Sequence, residues 1–290
     1  MLQMVRRISA IAIAAAAIWG CNKYDFKGMF MPTGEGVQTR FEQSMKMNKD
    51  LYVGKVDTDE QYVFYSATDP HIDKTSRNLN TFNDALRNDE QAAFGVILGD
   101  CTDVRDNLPN YLDATVYDPD RHAYNHRLFH ILGNHDVYFK GWADFKELIG
   151  PSVFWFEADF KNGMDLYISL DSATGTLGSK QTEWLKSFLT DKRENYRHCI
   201  ILTHTNLFYT DNSQATSGNM PIEEVYLLLD LLGKHNVTLV LQGHDHYRED
   251  LTYDNVRYTV LGTIKDESNA PEYLKLNVSE SGISFDWQIL

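Results

Sequence analysis

Short apolar runs punctuate the chain, and longer amphipathic stretches separate them. Tyr62-Val63-Phe64-Tyr65, Phe94-Gly95-Val96-Ile97-Leu98, Leu128-Phe129-His130-Ile131-Leu132, Cys199-Ile200-Ile201-Leu202 and Val237-Thr238-Leu239-Val240-Leu241 are rich in β-branched and aromatic side chains. Runs of that length and composition predict buried strands, and Leu166 to Leu170 reads the same way. Between them the spacing turns helical. One helix is expected from about Ser76 to Ala93. A second starts near Ser179, as N-cap, and brings Trp184, Leu185, Phe188 and Leu189 onto one face. A third starts at Pro221 and shows Ile222, Val225, Tyr226, Leu229 and Leu232; proline fits at the first turn, where its missing N–H costs nothing. From Tyr247 onward the pattern is strands and turns only, at Val256 to Leu261, Tyr273 to Val278 and Ile283 to Ile289. Strands alternating with helices predict an α/β fold.

The N-terminus follows a different logic. Met1 to Arg7 is short and basic, and Ile8 to Trp19 is apolar but shorter than the ~20 residues that span a bilayer. Ile18-Trp19-Gly20-Cys21 resembles a bacterial lipobox, with a small residue before the cysteine that receives the lipid. Residues 1–20 are thus expected to be a lipoprotein signal peptide, and Cys21 to carry a lipid anchor to a membrane in the bacterial cell envelope. Residues 21–60, with Gly28, Pro32, Gly34 and Gly36, read as tether and lead-in. Residues 61–290 read as the folded domain.

With 290 residues, 43% of them hydrophobic, the chain can bury a substantial core. A net charge of -14 repels phosphate backbones and argues against long nucleic acid as a partner. Three cysteines, Cys21, Cys101 and Cys199, are too few for a disulfide scaffold, although a Cys101–Cys199 pairing is conceivable in an oxidising compartment.

The chemistry sits just past the strands. The first is followed by Asp69-Pro70-His71, the second by Gly99-Asp100-Cys101-Thr102-Asp103 and the third by Gly133-Asn134-His135-Asp136. Leu202 is followed by Thr203-His204, and Leu241 by Gln242-Gly243-His244-Asp245-His246. The carboxyl edge of an α/β sheet is where ligands bind. Gly99, Gly133 and Gly243 are expected to let the backbone turn sharply there. Carboxylates, an amide oxygen and imidazoles suit borderline divalent ions such as Mn, Fe or Zn, and no cysteine cluster suggests a structural zinc. There are too many donors for one ion. Two ions sharing a carboxylate would use them and would clamp the attacking and leaving oxygens of an in-line displacement at phosphorus.

The order Asp-x-His, Gly-Asp-x-x-Asp, Gly-Asn-His-Asp, His, Gly-His-x-His, running from Asp69 to His246, resembles the calcineurin-like metallophosphoesterase family. The resemblance implies two packed mixed β-sheets flanked by helices. It implies two divalent metal ions, with Asp69, His71 and His246 on one, Asn134, His204 and His244 on the other, and Asp100 bridging. It implies His135 as general acid and Asp103 as its orienting carboxylate. The reaction implied is hydrolysis of a small phosphate ester by a hydroxide bridging the metals. Protein Ser/Thr phosphatases carry Arg where this chain has Val104, and purple acid phosphatases carry Tyr where it has Asp103. The broad group that remains includes small phosphodiesterases, which makes phosphodiesters the expected substrates. A phosphate-ligand-binding envelope lipoprotein without catalysis is the alternative.

Other residues carry weaker signals. Cys101 reads as a small buried residue behind Asp100. His122, His126 and His130 cluster near an insert from Val104 to Arg127, whose Arg105, Arg121 and Arg127 could meet a phosphate. Trp142, Trp155 and Phe156 could stack a base but more often pack in a core. His198 and His235 read as surface residues.

Overall fold

The computed structural model describes residues 34–50, 54–102, 105–115, 117–118, 123–124, 128–209 and 215–290. Among these the strands are β1 (Lys55–Asp57), β2 (Tyr62–Ala67), β3 (Ala92–Ile97), β4 (Tyr117–Asp118), β5 (Ala123–Tyr124), β6 (Leu128–His130), β7 (Phe154–Phe160), β8 (Gly163–Ser169), β9 (Cys199–Leu202), β10 (Leu239–Gln242), β11 (Glu249–Tyr253), β12 (Val256–Val260), β13 (Glu272–Ser279) and β14 (Gly282–Ile289). The α-helices are α1 (Val37–Asp50), α2 (Arg77–Asn88), α3 (Leu108–Thr115), α4 (Asn134–Val137), α5 (Trp142–Leu148), α6 (Gly178–Lys192) and α7 (Ile222–Lys234).

Two mixed sheets pack together. One has the order β1-β7-β8-β9-β10-β12-β11, the other β14-β13-β2-β3-β6, and β4 and β5 form a separate small ribbon. β2, β3 and β6 run parallel, as do β8, β9, β10 and β12. β2, β9 and β10 are buried at every position, so they read as continuous apolar runs without alternation. The core between the sheets is aromatic. Phe129 stacks on Phe156 at 3.9 Å, Phe156 on Tyr167 at 4.8 Å, and Phe64 on Phe94 at 5.1 Å. A second core lies under α6 and α7, where Leu185, Leu189, Leu228 and Leu232 meet Ile168, Ile201 and Val240.

Several expectations shift by a few residues. α2 ends at Asn88 rather than Ala93, because the chain reverses where the Asp89 carboxylate accepts the Gln91 N–H and Ala92 already belongs to β3. Ser179 lies inside α6, whose N-cap is Leu177. The first turn there is satisfied from far away, by Glu224 on the Leu177 N–H and by Gln38 on the Lys180 N–H. α7 buries Val225, Leu228, Leu229 and Leu232, while Tyr226 is 60% exposed. Both that stripe and the expected one obey the i, i+3, i+4, i+7 rule; the run of leucines admits either.

The boundary drawn at residue 60 lies too far along the chain. Pro32–Leu290 forms one compact unit. From Val37 on, the expected tether is a packed helix, with Val37, Arg40, Phe41 and Ser44 buried. Phe41 meets Trp184 at 6.0 Å, the Ser44 and Ser152 hydroxyls are bonded at 3.1 Å, and β1 extends the larger sheet along β7. The expected signal peptide and Cys21 lie outside the described residues.

Candidate metal centre

The carboxyl ends of β2, β3 and β6 in one sheet and of β9 and β10 in the other open onto one spot. Their loops are tied to each other by backbone bonds, Asp69 N–H to Gly99 C=O, His71 N–H to Asp100 C=O and Gly243 N–H to His204 C=O. The structure brings together all seven side chains singled out as ligands.

Asp69 Oδ1 lies 3.2 Å from His246 Nε2 and 3.5 Å from His71 Nε2, and the two imidazole nitrogens are 3.0 Å apart. Asn134 Oδ1 lies 2.9 Å from His204 Nε2 and 3.0 Å from His244 Nδ1. Asp100 Oδ2 stands between the two groups, 3.6 Å from His71 Nε2 and 3.4 Å from His204 Nε2. His135 sits beside them, half-buried, with Nε2 4.0 Å from Asp100 Oδ2 and its ring edge-on to His71 at 4.7 Å. Asp103 lies outside the described residues, as do His122, His126, Arg121 and Arg127.

The backbone bends sharply to do this, at one of the three expected glycines and at five of the ligands. Asp69, His71, Asp100, His244 and His246 themselves have positive φ, between 43° and 77°. Such backbone is rare for residues other than glycine and clusters at functional sites. Gly99 alone of the three glycines turns left-handed, at φ 97°. Gly133 has φ -102° and is there for room: a Cβ would overlap the Asp100 nitrogen and Oδ1. At Gly243 a Cβ would overlap Thr68 Oγ1 and come within 2.8 Å of Asp69 Oδ2.

The donor atoms fit a pair of cations. Asp69 Oδ1 is fully buried and makes no hydrogen bond of acceptable geometry among the described residues. Its other oxygen is satisfied, by the Thr68 hydroxyl at 2.6 Å and the His244 N–H at 3.0 Å. His204 Nδ1 donates to the Leu98 carbonyl at 2.7 Å, so Nε2 is the nitrogen that faces the site and would offer a lone pair to a cation that displaced its proton. Three sets of donor atoms could each hold an ion: Asp69, His71 and His246; Asp100, His204 and His244; and His71, Asp100 and His135.

The electrostatics of the protein groups point the same way. Burial works to raise the Asp69 carboxyl, but His246, His204 and His71 overrule it and hold it well below the usual range. Asp100 is likewise held low, by His204, His135 and His71 against its burial. His204 rises to about 9 despite burial, because Asp100 and Asp69 face it. His244 is lowered by burial and by His204. The cavity therefore keeps two carboxylates ionised and holds positive charge against them.

Asp136 has a role that sequence reasoning missed. Its carboxylate accepts three backbone N–H groups, from Gly133 at 2.8 Å, Cys101 at 2.9 Å and Asp100 at 3.0 Å, and so locks two ligand loops together. Burial and the Asp100 charge raise it to about 7 against those donors. The available signal was an acid at the third position of a helix capped by Gly133. Asn206, bonded to Asp245 at 2.8 Å, similarly anchors the loop between His244 and His246. Cys101 and Cys199 are buried free thiols, so the conceivable disulfide is not formed. Trp142 and Phe156 are core residues, and His198 is buried, its Nε2 on the Ser279 carbonyl at 2.8 Å, rather than on the surface.

A family model described as calcineurin-like phosphoesterase matches residues 63–248. No curated protein sequence matches the chain. Among solved structures it is similar to GAP50, the anchor in the inner membrane complex of Plasmodium, at 17% identity and TM-score 0.59, over 78% of this chain and 84% of that one. A dimetal phosphatase from Danio rerio aligns at 15% identity and TM-score 0.55, over 78% and 95%. A purple acid phosphatase from yellow lupin aligns at 14% identity and TM-score 0.60, over 80% and 52%. At these identities the likeness is one of fold.

Proposed function

The chain belongs to the calcineurin-like phosphoesterase family, and from that premise we propose that this metal-dependent phosphoesterase cleaves small phosphodiesters at a two-cation centre. The observation that carries the reading is the position of Asp100 Oδ2, within 3.6 Å of a ring nitrogen in each of the two ligand groups. Asp69, His71 and His246 would hold one cation and Asn134, His204 and His244 the other, with Asp100 placed to serve both. Mixed carboxylate, amide and imidazole donors suit Mn, Fe or Zn. When bound, such a pair supplies Lewis acidity at phosphorus and hydroxide at neutral pH.

The remaining work falls to the chain's own groups. Thr68 and the His244 N–H orient the Asp69 carboxylate. The His135 backbone N–H donates to Asp100 Oδ1 at 2.8 Å, which keeps Oδ2 facing the imidazoles. His135, half-buried at the edge of the cluster, gives a proton to the leaving oxygen; the family motif assigns its orientation to Asp103. Val104 and Asp103 depart from protein phosphatases and purple acid phosphatases, and the group that remains includes small phosphodiesterases.

The test is turnover of a chromogenic phosphodiester and its monoester counterpart by Mn-loaded protein, with His135→Ala as partner. Diester hydrolysis should fall by about 10²–10⁴-fold in the variant, with metal content unchanged. Full activity in His135→Ala would sink the assigned mechanism. Protein that binds two ions and turns over no ester would instead favour the non-catalytic phosphate-binding reading.

We also propose, from the sequence at Ile18-Trp19-Gly20-Cys21, that Cys21 is lipidated and holds the enzyme to a membrane of the bacterial envelope. Cys21→Ser should abolish palmitate labelling and release the protein to the soluble fraction. Unchanged membrane association would refute the anchor.

A further inference from the structure

Asn134 and Tyr138 stand four residues apart, so their side chains leave the same face of a helical turn. Asn134 Nδ2 donates to Tyr138 Oη at 2.9 Å, and Tyr138 is 4% exposed. The two ends of a carboxamide have nearly the same shape, but only the oxygen offers lone pairs to a cation. With Nδ2 turned to Tyr138, Oδ1 faces His204 Nε2 and His244 Nδ1. The same phenol ring lies 4.8 Å from the His135 ring, inclined at 49°. One buried aromatic therefore touches a ligand and the general acid assigned above.

The backbone beyond Tyr138 is bent to keep it there. α4 stops at Val137, and Phe139 (φ 52°, ψ 32°) and Lys140 (φ 65°) are left-handed. Bulky L residues avoid that conformation, and it persists where the surroundings over-determine it. Gly141 follows, where a Cβ would overlap the Asp136 carbonyl. Phe139 is 46% exposed, so its own packing does not explain the turn. What the turn achieves is to swing Phe139 outward while Tyr138 stays beneath Asn134 and His135.

We propose that Tyr138 is a positioning residue that fixes the amide of Asn134 with its oxygen toward the second cation, and that its ring braces His135. The proposal rests on the two-cation reading above.

Calorimetric titration of Mn into chelator-stripped protein tests it. Wild type should show two binding events, one of which disappears in Asn134→Ala. Tyr138→Phe removes only the hydroxyl; it should weaken that same event by about tenfold or more and leave the other in place, with an unchanged melting curve. An aspartate at position 134 has two equivalent oxygens and no amide to orient. Adding Tyr138→Phe to Asn134→Asp should therefore cost less than about threefold. Equal weakening of both events, no weakening, or the same loss in the aspartate background would overturn the role of Tyr138. Wild-type protein that takes up no pair of Mn ions would instead bring down the two-cation reading, and this proposal with it.

Discussion

Arg40 and Asp171 meet in two parallel 2.8 Å hydrogen bonds, Nε to Oδ2 and Nη2 to Oδ1, with both side chains fully buried. The pair joins α1 to the end of β8. Further bonds from Arg40 to the Glu35 carbonyl and Thr174, and from Ser152 to Asp171, complete its surroundings. Buried ion pairs stabilise little against apolar replacements of the same shape, but breaking one strands a charge. Arg40→Ala should therefore lower stability by about 3–5 kcal/mol, read as a drop in urea midpoint. A midpoint near that of wild type would mean that α1 is the loose lead-in its sequence suggested.

Asp136→Asn exchanges one of two acceptor oxygens for a donor. At least one of the three N–H groups that Asp136 holds would then face an NH2, loosening the loops that carry Asp100 and Asn134. Mn affinity should fall by about 10–100-fold, as for other groups that orient ligands without touching the metal. Metal retained after dialysis at wild-type levels would count against this lock.

These two residues also mark where the sequence stopped being readable. The seven proposed ligands were legible because each stands just past an apolar run, and strand ends converge by construction. α1 was not, because two of its four buried positions in the first turns, Arg40 and Ser44, are polar, so its inward face leaves no apolar stripe. Asp136 and Tyr138 act through contacts with Asp100, Asn134 and His135 that no spacing rule announces. The glycines were legible as special and only partly in cause: Gly99 makes the expected turn, all three make room, and the ligands supply the other turns.

His130, on β6, places Nδ1 2.7 Å from the Tyr111 hydroxyl, and burial holds its pKa down to about 4. An unfolded chain would protonate it near 6.5. Between those values the unfolded state binds a proton that the folded state refuses. Stability from this group is thus complete above about pH 6.5 and is lost as pH falls through about 4, at up to about 1.4 kcal/mol per pH unit. His130→Gln keeps an acceptor for Tyr111 and removes the titration. Its denaturation midpoint should decline less than wild type's between neutral pH and about pH 4.5. Parallel declines would show that His130 titrates normally.

Gly133 and Gly36 make a paired test of why glycine stands at the metal loops. At Gly133 a Cβ would collide with the backbone nitrogen and carboxylate of Asp100, neither of which can move without displacing the oxygen between the two ligand groups. At Gly36, before α1, φ is not positive and a Cβ would meet nothing within 4 Å among the described residues. Gly36→Ala should be neutral or stabilise by about 0.4–1 kcal/mol, by restricting the unfolded chain. Gly133→Ala should lose stability by about 1–3 kcal/mol, the usual cost of overpacking. It should also lose Mn binding, because the displaced group is the shared carboxylate. The two readouts separate causes. Lost stability with intact Mn affinity would mean the loop gives way on the Gly133 side and leaves Asp100 in place, and close packing of these two residues would then not be what sets the geometry of the centre.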